Sequence, residues 1–149
     1  MDRVVKVVGG SMAPTYRPSD LLAVAPVLRS GPRVGRGDVV VLRHRGARMI
    51  KRVVGVPDDL VELEAGRLFV NGGSVDGRAR SAGAYTQRWR VPPASYFVVG
   101  DNPAGSDDSR IWVEPFVPEG AISAVVTRRL AVSRWLTSRR RAPATGRAA

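Results

Sequence analysis

The longest apolar stretches in this 149-residue chain run only about seven or eight residues, and its sixteen glycines and eleven prolines fall mostly between them. Many short strands separated by Gly/Pro turns argue for a mainly β fold, either a barrel or a coiled antiparallel sheet. No stretch approaches the ~20 apolar residues that a membrane-spanning helix needs, and no apolar segment follows a basic start as in a secretory leader. At 44% apolar and 25% charged residues the chain can bury the core of one ordinary domain.

The strand candidates are residues 3–8, 21–28, 39–42, 49–56, 60–64, 67–70, 74–75, 95–99 and 121–127. Segments 60–64 and 67–70 flank Ala65-Gly66, a hairpin signal, and Asn71-Gly72-Gly73 turns into Ser74-Val75. Residues 77–94 are polar without a clear period and read as an excursion from the sheet. There is no internal repeat. The domain is expected over residues 1–127, followed by a basic tail at 128–149 with a short helix at 128–138 and disorder beyond it.

Charge and composition exclude several chemistries. Cysteine is absent, which removes disulfides, zinc-thiolate sites and a catalytic thiol. The single histidine, His44, lies in a turn beside Arg43, Arg45 and Gly46 and reads as a solvated loop residue; no multi-histidine metal site exists. The net charge is +11, and no acidic residue follows Glu119, whereas seven arginines stand from Arg128 onward. Such a tail suits an anionic membrane surface, nucleic acid or plain solvent. The body lacks a basic stripe interleaved with aromatics, so no specific nucleic acid is expected.

Of the 24 basic residues only Lys6 and Lys51 are lysine. Lys51 falls in Met49-Ile50-Lys51-Arg52-Val53-Val54, where a two-residue period puts Met49, Lys51 and Val53 on one face. A lysine desolvated in this way has a lowered pKa and serves as a general base, which arginine cannot do. The alternative is a lysine whose stem packs while its head reaches water. Gly9-Gly10-Ser11 at a strand end offers a nucleophile with an open approach and a backbone N–H for an oxyanion; taken alone it is a turn. Ser-Lys is a known nucleophile–base pairing. The loop from Gly100 to Arg110 is dense in polar groups (Asp101, Asn102, Ser106, Asp107, Asp108, Ser109), lacks the spacing of an EF-hand, and reads as a buttress with no metal.

Together these segments resemble the type I signal peptidases, membrane-associated serine proteases with a Ser-Lys dyad. Gly10-Ser11-Met12-Ala13-Pro14-Thr15 is similar to the nucleophile box, and Ile50-Lys51-Arg52-Val53-Val54-Gly55-Val56-Pro57 to the lysine box. Gly100-Asp101-Asn102 with Ser106 and Asp108-Ser109-Arg110 is similar to the last box. The resemblance runs in order from about Val5 to Ala124.

It implies a coiled-sheet catalytic domain, Ser11 as nucleophile, Lys51 as base, and Ser106 as the hydroxyl that orients the lysine amine. Met12 would line the substrate cleft, and Asp101, Asp108 and Arg110 would form one structural ion-pair cluster. No cofactor is implied. The substrate would be a precursor protein cut at its signal or leader peptide after small residues, at the plasma membrane. The chain lacks the family's usual anchor helix before the nucleophile box, so a cytoplasmic, soluble maturation protease for one dedicated precursor, of the nickel superoxide dismutase type, is an alternative. An inactive Arg-rich β domain that binds membrane or nucleic acid is another. Gly9 stands where some members carry an oxyanion-hole hydroxyl, and the segment after Arg110 departs from the family pattern. A self-cleaving repressor of the LexA type is rejected, because ten residues before Ser11 leave no room for a DNA-binding domain.

Overall fold

The computed structural model describes residues 3–78, 80 and 86–131. Eleven strands follow in chain order: β1 (Arg3–Lys6), β2 (Leu21–Pro26), β3 (Val39–His44), β4 (Ala47–Gly55), β5 (Leu60–Glu64), β6 (Arg67–Val70), β7 (Gly73–Ser74), β8 (Thr86–Arg90), β9 (Ser95–Val99), β10 (Phe116–Pro118) and β11 (Ile122–Leu130). Every pairing is antiparallel. The expected mainly β architecture is present, arranged as two sheets: seven strands in the order β1-β2-β11-β3-β4-β9-β10, and four in the order β7-β6-β5-β8.

Three hairpins have two-residue loops ending in glycine, Arg45-Gly46, Ala65-Gly66 and Asn71-Gly72, with positive φ at both positions. This is the turn whose twist matches that of paired strands, and the glycines adopt it without steric cost. It fixes the β3–β4 register, in which Val40 faces Lys51 and Val41 faces Ile50.

Alternation along β3 feeds two separate cores. Val40 and Leu42 join Val53, Val98 and Val117 on one side, while Val41 joins Val5, Val7, Leu22 and Val24 on the other. A third cluster, around Val54, Val61, Val91 and Phe97, unites residues of both sheets. Each fully buried aliphatic or aromatic side chain stabilises the fold by about 1.5–3 kcal/mol before entropy is counted.

Two expectations change. Residues 86–90, read as part of an excursion, form β8 and pair with β5 from Leu60↔Arg90 to Glu64↔Thr86. The strand escaped notice because its polar face is held by charge: Arg88 lies opposite Glu62 and bonds it at 2.9 Å, while Trp89 packs on Phe97. At the C-terminal end, β11 continues through Arg128, Arg129 and Leu130, paired with Ala23, Leu22 and Leu21. The sheet therefore extends three residues past the expected domain edge, and these residues are strand where a helix was expected. The rest of that tail, residues 132–149, lies outside the described residues.

Candidate active site

Lys51 is 4% exposed, in the middle of β4. Its same-face neighbours Met49 and Val53 pack with the first core cluster, as the two-residue period requires. Burial pushes the ammonium pKa below the ordinary lysine range; Asp108 and Asp107 oppose that shift and Arg110 adds to it. Among the described residues no side-chain hydrogen bond or ion pair engages the amine, and no unpartnered side-chain polar atom is sealed from solvent. The Lys51 amine therefore opens onto solvent.

That solvent is a cleft of about 380 Å³ shared with Ser11 and Met12 and lined by Val5, Val7, Val41 and Ile50. Ser11 begins the turn between β1 and β2, which is closed by Ala13 N–H donating to Gly10 O at 3.1 Å and Tyr16 N–H to Met12 O at 2.9 Å. Met12 is buried at 1% exposure and pins this turn to the cleft wall. No hydrogen bond joins the Ser11 hydroxyl to the Lys51 amine among the described residues, and the Ser11 N–H is likewise uncommitted. Catalytic hydrogen bonds often tighten only with substrate in place.

The loop after β9 clamps the Ser11 backbone. Asn102 donates its N–H to Ser11 O at 2.9 Å and its side-chain amide to Gly10 O at 3.1 Å. The Ser106 hydroxyl lies 3.1 Å from Ser11 O and 2.5 Å from Asn102 O. Its partners are carbonyls of the Ser11 turn and its own loop, where the sequence led to the expectation of the lysine amine. The loop comes this close because residue 100 has no side chain: a Cβ there would stand 1.9 Å from Ser106 Oγ and 2.6 Å from Ser11 O.

Asp101, Asp108 and Arg110 divide into two clusters instead of one. Asp108, fully buried, accepts from the N–H of Gly100 at 2.9 Å and of Arg110 at 3.1 Å, and from the Arg110 guanidinium at 2.5 and 3.0 Å. Asp101 instead takes the Arg52 guanidinium fork at 2.7 and 2.8 Å and the Thr15 hydroxyl at 2.6 Å. Burial raises the Asp101 pKa, but Arg52 and Thr15 outweigh it and the net shift is downward. Asp107 accepts from the Trp112 indole N–H at 2.9 Å. With each aspartate committed to a different partner, no three metal-ligating side chains converge among the described residues.

Residues 3–131 match the family described as "Signal peptidase, peptidase S26". The chain belongs to the signal peptidase family. A signal peptidase I of Pseudomonas fluorescens is 31% identical over 80% of this chain and 58% of that protein. Signal peptidase I S of Bacillus subtilis (strain 168) is 35% identical over 68% of this chain and 62% of its own length. Among solved structures, a signal peptidase I of Enterococcus faecalis V583 superposes with a TM-score of 0.52 at 30% identity, covering 66% of this chain and all of that one. The chain thus spans about three fifths of the length of these curated relatives. Among the described residues no helix is long and apolar enough to cross a membrane.

Several residues that shape this candidate site were not given roles from sequence. Arg52 and Thr15 tie β4 and the Ser11 turn to Asp101, and Asn102 grips Gly10 and Ser11. Arg52 stands next to Lys51 and so points to the opposite face of β4. That adjacency was the one available signal. Asp59 is the buried partner of Arg36 and also accepts from the Asn71 side-chain amide at 2.9 Å. His44 is not simply solvated, since its ring stacks on Trp112 with centroids 3.7 Å apart.

Proposed function

We propose that this chain is a serine endopeptidase that removes signal or leader peptides from precursor proteins after small residues, using Ser11 and Lys51. The observation that carries this reading is that a serine in an open turn and a buried, unpaired lysine line one cleft in a chain of the signal peptidase family.

The chemistry follows from the groups. Neutral Lys51 Nζ takes the proton from Ser11 Oγ as Oγ bonds to the scissile carbonyl carbon. The uncommitted Ser11 N–H donates to the oxyanion, a contribution that can reach a few kcal/mol in a water-poor site. As the C–N bond breaks, the lysine ammonium passes its proton to the leaving amine. Water then gives a proton to Nζ and attacks the acyl carbon; the bond to Oγ breaks, Nζ returns the proton to Oγ, and Ser11 and neutral Lys51 are restored. Ser106 and Asn102 act as positioning residues in this scheme, because they hold the carbonyl of Ser11, whose Cα also carries the Oγ-bearing side chain and the N–H. The apolar cleft walls suit small uncharged side chains on the substrate.

Membrane association belongs to the same proposal: the arginine-rich tail would lie on an anionic plasma membrane surface, without specific nucleic-acid binding. Co-sedimentation with anionic vesicles at low salt checks it, and no binding there removes it.

The deciding experiment is cleavage of a peptide with an Ala-X-Ala junction, with lipid present, from pH 6 to 10, beside Ser11→Ala and Lys51→Ala. Loss in both variants and a rise toward alkaline pH are expected. Cleavage that survives Ser11→Ala overturns the mechanism.

A further inference from the structure

The apolar floor of the Ser11–Lys51 cleft runs directly into paired positive charge. Val41 and Ile50 face each other across the β3–β4 hairpin, and the next pair on that side of the sheet is Arg43 and Arg48. Among the described residues, Arg48 and Lys6 are the charged side chains that line the cleft beside Lys51, and no carboxylate lines it. Both Arg43 and Arg48 are exposed. Neither has an ion pair among the described residues; Arg43 makes one long contact, 3.5 Å to Gly46 O. Like charges directly opposite on one sheet face destabilise the pairing, and an anion placed between them relieves the repulsion. Some arginines elsewhere have carboxylate partners, as in Arg52–Asp101, Arg88–Glu62 and Arg110–Asp108, and others, such as Arg33 and Arg45, have none among the described residues. At the cleft, that partner is absent from the described residues.

We propose that Arg48, backed by Arg43, selects precursors that carry an aspartate or glutamate three or four residues from the scissile bond. The inference rests on the peptidase function proposed above and names a determinant of its substrate class. The distance follows from strand geometry. Arg48 projects with Ile50 from the face of β4 opposite Lys51, but both border the one cleft; along the strand axis they stand about 10 Å apart at ~3.3 Å per residue, and an extended peptide advances by the same rise. A carboxylate at that spacing meets the guanidinium while the scissile carbonyl lies at Ser11. A peptide is favoured over a lipid headgroup because the arginine continues the floor of the cleft that contains the nucleophile.

The test uses peptides with one Ala-X-Ala junction that differ only in the residue just before the motif or the third residue after the scissile bond, set to Asp, Asn or Lys. Turnover is measured with the wild-type chain, and binding with Ser11→Ala, so that charge preference is read even without cleavage. At one of the two positions the Asp peptide should exceed Asn by about fivefold, and Lys by more, at low salt. The preference should shrink as salt rises. Arg48→Gln should bring the Asp:Lys ratio to within about twofold, and Arg48→Lys should retain much of it.

Cleavage with no charge preference at either position overturns this inference and leaves the peptidase reading standing. Charge-selective binding to Ser11→Ala with no turnover by the wild type supports the inference and overturns the peptidase reading. If Arg48→Gln weakens binding to anionic vesicles while the peptide preference persists, the arginines serve a membrane surface and the inference fails.

Discussion

The backbone N–H of Asn102 donates to the carbonyl of Ser11 at 2.9 Å, across 91 positions of sequence. One loop residue thereby grips the peptide unit that follows Ser11, and the Asn102 side chain holds the preceding carbonyl, that of Gly10, at 3.1 Å. Ser106 adds a hydroxyl at 3.1 Å from the same Ser11 oxygen. The Ser11 turn closes with its own Ala13–Gly10 and Tyr16–Met12 bonds, and the loop after β9 adds three more to its carbonyls. Catalysis needs reacting atoms placed within a fraction of an ångström, which gives this clamp functional weight.

The clamp can be tested by adding one methyl group. Gly100→Ala places a Cβ against Ser106 Oγ and Ser11 O, and the second contact is backbone that cannot swing aside. It should cost about 1–3 kcal/mol in stability and lower kcat more than it raises KM. Ser106→Ala removes a hydrogen bond without a collision and should cost only about 1 kcal/mol. Thermal melts and peptide kinetics on the two variants give the order; a milder Gly100→Ala would refute the close approach.

Lys51 should set the pH dependence. Burial lowers its pKa, so the neutral amine is available at lower pH than for an ordinary lysine, and kcat/KM should rise with pH through an apparent pKa below 10.5. Lys51→Ala should lose about 10²–10⁴-fold in rate. Lys51→Arg keeps the charge yet cannot be deprotonated, and it should be as inactive as alanine. An active arginine variant would exclude general-base catalysis at this position.

Asp108 should tune that profile from behind. Its charge raises the Lys51 pKa while Arg110 lowers it, so Asp108→Asn removes an opposing influence and leaves the lowering one. The alkaline rise should move to lower pH. The same change leaves the Arg110 guanidinium, 12% exposed, without its charged partner, and should destabilise by about 3–5 kcal/mol. A pH–rate profile at a temperature well below the melting transition separates the two effects.

Acid stability should depend on Asp59. Arg36, backed by the Val56 N–H and the Asn71 amide, holds its pKa down from 3.8 to about 2. A carboxylate with a depressed folded-state pKa stabilises the fold fully above its unfolded value and loses that contribution as pH falls through the folded one. Unfolding measured from pH 5 to 1.5 should therefore show a loss of stability between about pH 4 and 2. Asp59→Asn should flatten that part of the curve and lower stability at neutral pH by about 1–3 kcal/mol. An unaltered acid limb would assign the loss to Glu62 or Asp101, whose pKa values are also lowered.

What the sequence by itself determined was whatever repeats locally. The alternation of Met49, Lys51 and Val53 was enough to bury the lysine, because strand geometry sends every second side chain to the same face. The Gly-containing two-residue turns set the hairpins, and the order of the three boxes pointed to the family that residues 3–131 match. What only the tertiary structure decided was who meets whom. Arg52 and Asp101 lie 49 positions apart, and Ser106 and Ser11 lie 95 apart. No period connects them, so the division of the acidic residues into two clusters, and the attachment of Ser106 to a carbonyl instead of the lysine, required the folded chain. β8 went unread for the same reason. Arg88 is held by Glu62 on β5 and Arg90 by Asp58 just before it, and a charge met by a distant partner looks in sequence like a charge facing water.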